Sequence, residues 1–143
     1  MGRPTIFRSK TRPGLCRRRN RREVQTGSGT YTGIADGIGY AVAAGAQVIN
    51  MSLSGPSYSS VLHEAVMNAH EAGVTIVCAS GNDGSTSVIP YPAAFEQCIA
   101  VGATDYAGNV AHYSNQGAEL DVTAPGGDLR VDLNGDGYHN RDS

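Results

Sequence analysis

The sequence is poor in the features that define several protein classes. It has no Trp, two Phe and only three Cys in 143 residues. The three Cys include no Cys-x-x-Cys pair, so they indicate neither a disulfide framework nor a zinc site. No apolar run is long enough to span a membrane, and the N-terminus lacks the apolar stretch of a signal peptide. Gly is frequent instead, with 19 residues, which suits an α/β domain with close helix–sheet contacts.

Charge is divided unevenly along the chain. Nine of the eleven Lys and Arg residues precede position 23, and from Val24 onward two basic residues stand against twelve acidic ones. Residues 17–22, Arg-Arg-Arg-Asn-Arg-Arg, suit nucleic-acid binding or a localisation signal by composition alone. No aromatic residues are interleaved with these arginines, so we expect a solvated tail and no nucleic-acid partner. Residues 1–24 are therefore predicted to be a disordered or mis-translated segment outside the domain.

Hydrophobic periodicity after residue 25 predicts helices alternating with strands. Apolar residues recurring every three or four positions predict helices over 32–44 and 60–72, each followed by a Gly as its C-terminal stop. Short apolar runs predict buried strands over 47–52, 74–79 and 98–103, and a further short strand over 120–123. This alternation predicts an α/β fold, a parallel sheet with flanking helices.

Two segments of small and polar residues stand at the carboxyl ends of predicted strands. They are residues 52–55 and residues 80–84, and the second opens a loop that runs to residue 97. Ligands of parallel sheets bind at this edge, and loops of such length in compact domains tend to be functional or disordered. A dinucleotide-binding loop at Gly27, Gly29 and Gly33 is disfavoured, because no apolar strand precedes it and no acidic residue lies near position 50.

Two of the cysteines, Cys78 and Cys98, fall on strands that we expect to be neighbours. Free Cys in such positions usually behaves as a small apolar residue. We predict two buried thiols, with a disulfide between adjacent strands as the alternative.

Six segments resemble the central part of the subtilisin-like serine peptidase family. They occur in the family's order and with similar spacing over roughly residues 27–127. The segments are 33–38 (Gly-Ile-Ala-Asp-Gly-Ile), 48–53 (Val-Ile-Asn-Met-Ser-Leu), 79–84 (Ala-Ser-Gly-Asn-Asp-Gly), 91–93 (Tyr-Pro-Ala), 99–103 (Ile-Ala-Val-Gly-Ala) and 121–126 (Asp-Val-Thr-Ala-Pro-Gly). The resemblance implies an incomplete subtilisin-like fold and peptide-bond hydrolysis through acyl transfer to a serine, with a histidine base oriented by an aspartate.

The resemblance also implies roles for individual residues. It implies that the side-chain amide of Asn82 donates a hydrogen bond to the oxyanion of the tetrahedral intermediate. One wall of the substrate-binding site would be Ser52, Leu53, Ser54 and Gly55, and the opposite wall would be Ala79, Ser80 and Gly81. Gly is usual in the family where this chain has Ser54, so the adjoining subsite should be narrower or more polar. If these residues have no role in catalysis or binding, Asn82 is a turn residue and the two walls are ordinary strand ends.

The motifs that carry the family's catalytic triad do not occur in this sequence. It contains no Asp-Thr/Ser-Gly, no His-Gly-Thr-His and no Gly-Thr-Ser, and its four His lie in other contexts. His63 and His70 are predicted to lie on a helix surface. We therefore expect a fragment of a serine endopeptidase, inactive by itself, whose parent is secreted or extracytoplasmic and acts on peptide or protein substrates. The alternative is a non-catalytic module that binds peptide or calcium.

Oxygen-bearing residues near the end of the sequence follow the spacing of an EF-hand-type calcium loop. The residues are Asp132, Asn134, Asp136, Tyr138 through its backbone carbonyl, and Asn140. Ser143 stands where a bidentate Glu is expected, which weakens the site. Residues 25–143 are thus predicted to be a partial peptidase domain in which residues 128–143 form a calcium-loop insertion.

Overall fold

Two helices and four strands follow one another in residues 29–127, the part of the chain that this computed structural model describes. The strands form one parallel sheet in the order β1-β2-β3-β4. The predicted α/β fold with a parallel sheet is therefore confirmed. The elements are α1 (Tyr31–Ala43), β1 (Val48–Met51), α2 (Ser60–Glu71), β2 (Thr75–Ala79), β3 (Cys98–Thr104) and β4 (Val122–Pro125).

Both helices begin and end through local contacts that the sequence encodes. The Thr30 hydroxyl caps α1 by accepting the Gly33 N–H at 3.1 Å, and the Ser59 hydroxyl caps α2 by accepting the Leu62 N–H at 3.3 Å. Gly45 and Gly73 follow the two helices with positive φ angles of 77° and 79°. This left-handed conformation lets the last carbonyl groups be satisfied, and Gly adopts it without a Cβ penalty. The predicted helix bounds are accordingly correct to within one residue.

The strands differ in how well their positions were predicted. The bounds of β1, β2 and β3 are correct to within one residue. The strand predicted over 120–123 is displaced, because β4 spans Val122–Pro125. The cause is a turn, in which the Leu120 N–H donates to the Gly117 carbonyl at 3.2 Å.

One face of the sheet forms the core beneath the helices. α1 packs against α2, and α2 packs against β2. Alternate residues of β1, β2 and β3 point to this face, and in register they align in rows across the sheet. These buried strand residues are Ile49, Met51, Ile76, Cys78, Cys98 and Ala100, and they meet Ile38, Leu62, Val66 and Ala69 of the helices.

The opposite face of the sheet carries apolar side chains that are not covered in residues 29–127. Val48 is 47% exposed, Ile99 38% and Val122 50%. Val77 and Val101 lie between them, half-buried. Parallel sheets are normally covered on both faces, so this apolar face is suited to contact with further polypeptide.

We expect the 143-residue chain, studied alone, to bind a hydrophobic dye and to associate, with a broad or absent thermal transition. The Ile99→Thr/Val122→Thr variant should reduce both dye fluorescence and association, because Thr keeps the β-branched shape while lowering the apolar area. Fluorescence and analytical ultracentrifugation measure the two effects. Val61→Thr, at an exposed position of α2, is the control that should change neither. A sharp cooperative transition from a monodisperse monomer would contradict the prediction.

Candidate active site

The register of the sheet places the two predicted substrate-binding walls side by side. Met51, the last residue of β1, pairs with Cys78 of β2. Ser52, which follows β1, and Ala79, which ends β2, therefore lie at the same carboxyl edge of the sheet. The sequence predicted a site at this edge.

The segment after β1 leaves its backbone open. Within residues 29–127, no backbone–backbone hydrogen bond involves the amide or carbonyl groups of Ser52, Leu53 or Ser54. Ser52 and Ser54 are exposed, whereas Leu53 is half-buried and packs against the core. Gly55 ends the segment by exchanging two backbone hydrogen bonds with Tyr91, at 2.8 Å and 3.0 Å. Residues 52–54 are thus held at both ends, by β1 and by the Gly55–Tyr91 bridge. Their backbone N–H and C=O groups form no backbone–backbone hydrogen bond within residues 29–127.

The segment after β2 turns inward and then out to solvent. Ser80 is 2% exposed, and its Oγ lies 3.5 Å from Oγ of Ser114. Gly81 is buried with a φ angle of 102°, a left-handed conformation that favours Gly. Asn82 follows and is exposed, and its side chain has no hydrogen-bond partner within residues 29–127. Ser80 and Gly81 are therefore buried supports of the turn, with the Ser80 N–H and the Gly81 carbonyl already hydrogen-bonded to Val101 and Asn115, whereas Asn82 is exposed.

The loop that carries Asn82 is fastened to a distant part of the chain. Oδ1 of Asn115 accepts hydrogen bonds from the backbone N–H of Asp83 at 2.9 Å and of Ser85 at 3.0 Å. The Asn115 N–H donates to the Gly81 carbonyl at 3.3 Å. Asn115 itself is 2% exposed. Asn115 was not predicted as a site residue, because nothing local in the sequence distinguishes it from the other polar residues that precede β4.

A second residue that was not predicted from the sequence, Tyr31, lies against the first wall. Tyr31 begins α1, and a Cβ placed on Gly55 would lie 2.5 Å from its hydroxyl oxygen. A larger residue at position 55 would require the Tyr31 side chain to shift. The first turn of α1 therefore borders the segment after β1, and Tyr31 adds an aromatic surface beside it.

His63 is less exposed than the sequence predicted. Its ring stacks on Phe95 at a centroid distance of 4.6 Å, and its Nδ1 lies 3.0 Å from the Tyr58 hydroxyl. Tyr91 completes this aromatic cluster, with its ring centroid 4.8 Å from that of Phe95. His70 is exposed, as predicted. The cluster connects α2 to the loop after β2.

Cys78 and Cys98 are buried, free thiols on adjacent strands, as predicted. A hydrogen bond to the Cys98 thiol, together with burial, raises the pKa of the Cys78 thiol far above its ordinary value. Since the thiolate is the reactive form, Cys78 behaves as an inert core residue.

Comparison with known proteins decides the family. A sequence model described as the subtilase family, Peptidase_S8, matches residues 22–143. The chain belongs to this family. Subtilisin DY of Bacillus licheniformis is 50% identical over 104 residues, which cover 71% of this chain and 38% of that protein. The major intracellular serine protease of Bacillus subtilis (strain 168) is 45% identical over 106 residues, covering 71% and 33%.

Solved structures of subtilases share the fold described above. A protease from Pseudoalteromonas arctica matches with a TM-score of 0.67 and 37% identity, covering 71% of this chain and 33% of that one. A cold-adapted subtilisin-like serine proteinase matches with a TM-score of 0.63 and 34% identity, covering 70% and 37%. This subtilase chain spans about two fifths of the length of the first curated relatives it matches.

The predicted calcium ligands of this subtilase lie outside the described residues. Asp132, Asn134, Asp136, Tyr138 and Asn140 all follow residue 127, so the calcium loop stays a prediction. Among residues 29–127, no group of three or more His, Cys, Asp and Glu side chains is placed to hold a metal ion. Neither helix in this range is long and apolar enough to cross a membrane.

Proposed function

We propose that this chain supplies the substrate-binding walls and the oxyanion donor of a subtilisin-like serine endopeptidase. The proposal rests on one observation above all. Asn82 is exposed in the loop that follows β2, at the carboxyl edge of the sheet. The neighbouring strand β1 leads into residues 52–54, whose backbone forms no backbone–backbone hydrogen bond within residues 29–127. A peptide bound along that backbone would run past Asn82.

An extended peptide fits the first wall as an added strand. The N–H and C=O groups of residues 52–54, which pair with no other backbone group of residues 29–127, can pair with substrate backbone, as in other cases of β-strand addition. Ser54 is exposed, so its hydroxymethyl group would narrow or polarise the adjoining subsite. Ala79, which is half-buried at the end of β2, lies opposite, and its small side chain would leave room there for a substrate side chain.

The chemistry explains why an asparagine would serve at position 82. When a serine attacks the scissile carbonyl, negative charge develops on the carbonyl oxygen. A neutral amide donates a hydrogen bond to that oxygen without adding charge to the site. The donor is effective only if it is already oriented, because reorganisation during the reaction would cost part of the stabilisation. The two hydrogen bonds that join this loop to Asn115 support the proposal, because they restrain the backbone that follows Asn82.

The experiment that tests the proposal joins residues 29–127 to the flanking segments of Subtilisin DY, in place of the matching segment, to give what we call the completed domain. It should hydrolyse casein and chromogenic peptides, and a serine-directed sulfonyl fluoride should stop the reaction. A completed domain that folds cooperatively and binds peptide without hydrolysing it would instead support the alternative, a non-catalytic binding module.

Gly81→Ala tests the geometry of the turn that presents Asn82. The substitution should destabilise the completed domain by about 1–3 kcal/mol, because a left-handed φ is strained for Ala. The new Cβ would also collide with the side-chain amide of Asn115. Thermal or denaturant unfolding measures the change. Gly39→Ala is the matched control: Gly39 lies exposed in α1 with open space around it, and Ala there should stabilise by about 0.5–1 kcal/mol. Equal effects of the two substitutions would contradict the prediction.

Calcium binding at residues 132–140 is part of the proposal and rests on the sequence alone. Calorimetric titration of the 143-residue chain with calcium chloride should show binding that Asp136→Asn weakens, because a carboxylate ligand is lost. Asp105→Asn, at a carboxylate that accepts the Asn109 N–H in a turn, is the control. An affinity unchanged by Asp136→Asn would remove the loop from the proposal.

The location of the protein also remains a proposal. Relatives of this chain include a protease named extracellular and one named intracellular. We retain a secreted or extracytoplasmic parent, a peptide or protein substrate and no nucleic-acid partner as proposals. Fractionation of the source cells followed by immunodetection distinguishes the compartments.

A further inference from the structure

We propose that Asn115 is a positioning residue for the oxyanion donor. The inference rests on the proposed function of Asn82. Asn115 lies more than thirty positions away in the sequence, so the position of Asn82 would depend on the folding of a distant segment.

Asn115 contacts the chain on both sides of Asn82. Before Asn82, the Gly81 carbonyl accepts the Asn115 N–H at 3.3 Å, and the Asn115 side-chain amide lies against the Cα of Gly81. After Asn82, Oδ1 of Asn115 accepts the Asp83 and Ser85 N–H groups at 2.9 Å and 3.0 Å. One residue thus holds the backbone on both sides of Asn82, with its own N–H before Asn82 and with its side-chain oxygen after it.

The neighbours of Asn115 hold the same loop through their backbones. The Gly84 N–H donates to the Tyr113 carbonyl at 2.8 Å, and the Gln116 N–H donates to the Ser85 carbonyl at 2.7 Å. These bonds use groups that every residue except Pro possesses, so they do not depend on side-chain identity. Substitution of Asn115 should therefore remove the hydrogen bonds that Oδ1 accepts and keep the backbone hydrogen bonds that also hold this loop.

The side chain is also built for this role. Asn115 is 2% exposed, so no solvent can replace its two hydrogen bonds without rearrangement of the loop. An oxyanion donor must be placed to within a fraction of an ångström, and a misplacement of about 1 Å can cost about 10²-fold in rate. Loss of the Oδ1 acceptor should therefore lower kcat, because Asn82 would no longer be held in position.

The test is a double-mutant cycle in the completed domain, with kcat expressed per active site titrated by the acylation burst. Asn115→Leu should lower kcat by roughly 10- to 100-fold when Asn82 is present. In the Asn82→Ala background it should lower kcat less than about 3-fold, because the donor it positions is already gone. Asn115→Asp keeps an acceptor of the same shape and should retain more activity than Asn115→Leu. Asn68→Leu, at an exposed position of α2, is the control for substitution by Leu.

The outcomes separate the inference from the proposed function. Equal losses in kcat with and without Asn82 would overturn the positioning role while leaving the oxyanion role of Asn82 intact. Loss of titratable sites alone, with unchanged kcat per site, would overturn it as well. If Asn82→Ala leaves kcat unchanged, the proposed function of Asn82 fails and the inference fails with it. Asn115→Ser is carried through the same cycle and judged by the same criterion, so that the decision does not depend on Asn115→Leu accumulating as folded protein.

Discussion

Asn82→Ala in the completed domain should lower kcat by about 10²–10³-fold and leave KM nearly unchanged. Loss of the corresponding amide in a subtilisin has an effect of this size, and we take the magnitude over from that enzyme. The reason for the division between kcat and KM is that the amide meets the carbonyl oxygen chiefly when negative charge has developed on it. Steady-state kinetics with a chromogenic peptide measure both constants.

Two further variants define what the loss means. Asn82→Asp keeps the shape and replaces the donor by a negatively charged acceptor, so its kcat should be at least as low as that of Asn82→Ala. Asn68→Ala, on the exposed surface of α2, should leave both constants unchanged. Activity of Asn82→Ala equal to that of the parent would show that this residue does not contact the oxyanion.

The 143-residue chain by itself should hydrolyse no peptide substrate. The sequence contains none of the motifs that carry the nucleophile, the base or its orienting aspartate in the family. Removing those groups from a subtilisin lowers kcat about 10⁶-fold, so the expected activity lies below detection. An oxyanion donor without a nucleophile has no intermediate to stabilise.

The measurement is an overnight incubation of purified chain with labelled casein and a chromogenic peptide, beside the completed domain at equal concentration. A serine-directed sulfonyl fluoride distinguishes turnover by the chain from turnover by a contaminant with another mechanism. Sustained turnover that the inhibitor stops, and that follows the chain through a second purification, would contradict the expectation.

The sequence predicted the elements well where their limits are set by local interactions. Thr30 and Ser59 cap the helices, Gly45 and Gly73 end them, and all four act within a few residues of their own position. β4 was displaced by two residues because its start is set by a turn at residues 117–120 that no apolar pattern announces.

The sequence predicted which segments follow the strands at the carboxyl edge of the sheet, but not which residues support those segments. Ser52 and Asn82 follow apolar strands, and the carboxyl edge of a parallel sheet was expected to bring them together. Asn115 and Tyr31 reach the site from distant positions, and their partners, Gly81 and Gly55, are determined only when the chain has folded. The chemistry of a single Asn or Tyr in a polar stretch does not distinguish a support from a surface residue.

The attachment of the loop after β2 also has a consequence for synthesis of the chain. Asp83 and its acceptor Asn115 are 32 residues apart, so Asn82 leaves the ribosome well before the residue that fixes its loop. Until the segment through Gln116 has emerged and docked, the N–H groups of Asp83 and Ser85 lack their acceptor. The loop therefore reaches its final conformation only after β3 and the segment beyond it have been made. In a nascent chain halted before that point, neither hydrogen bond to Asn115 can restrain the loop that carries Asn82.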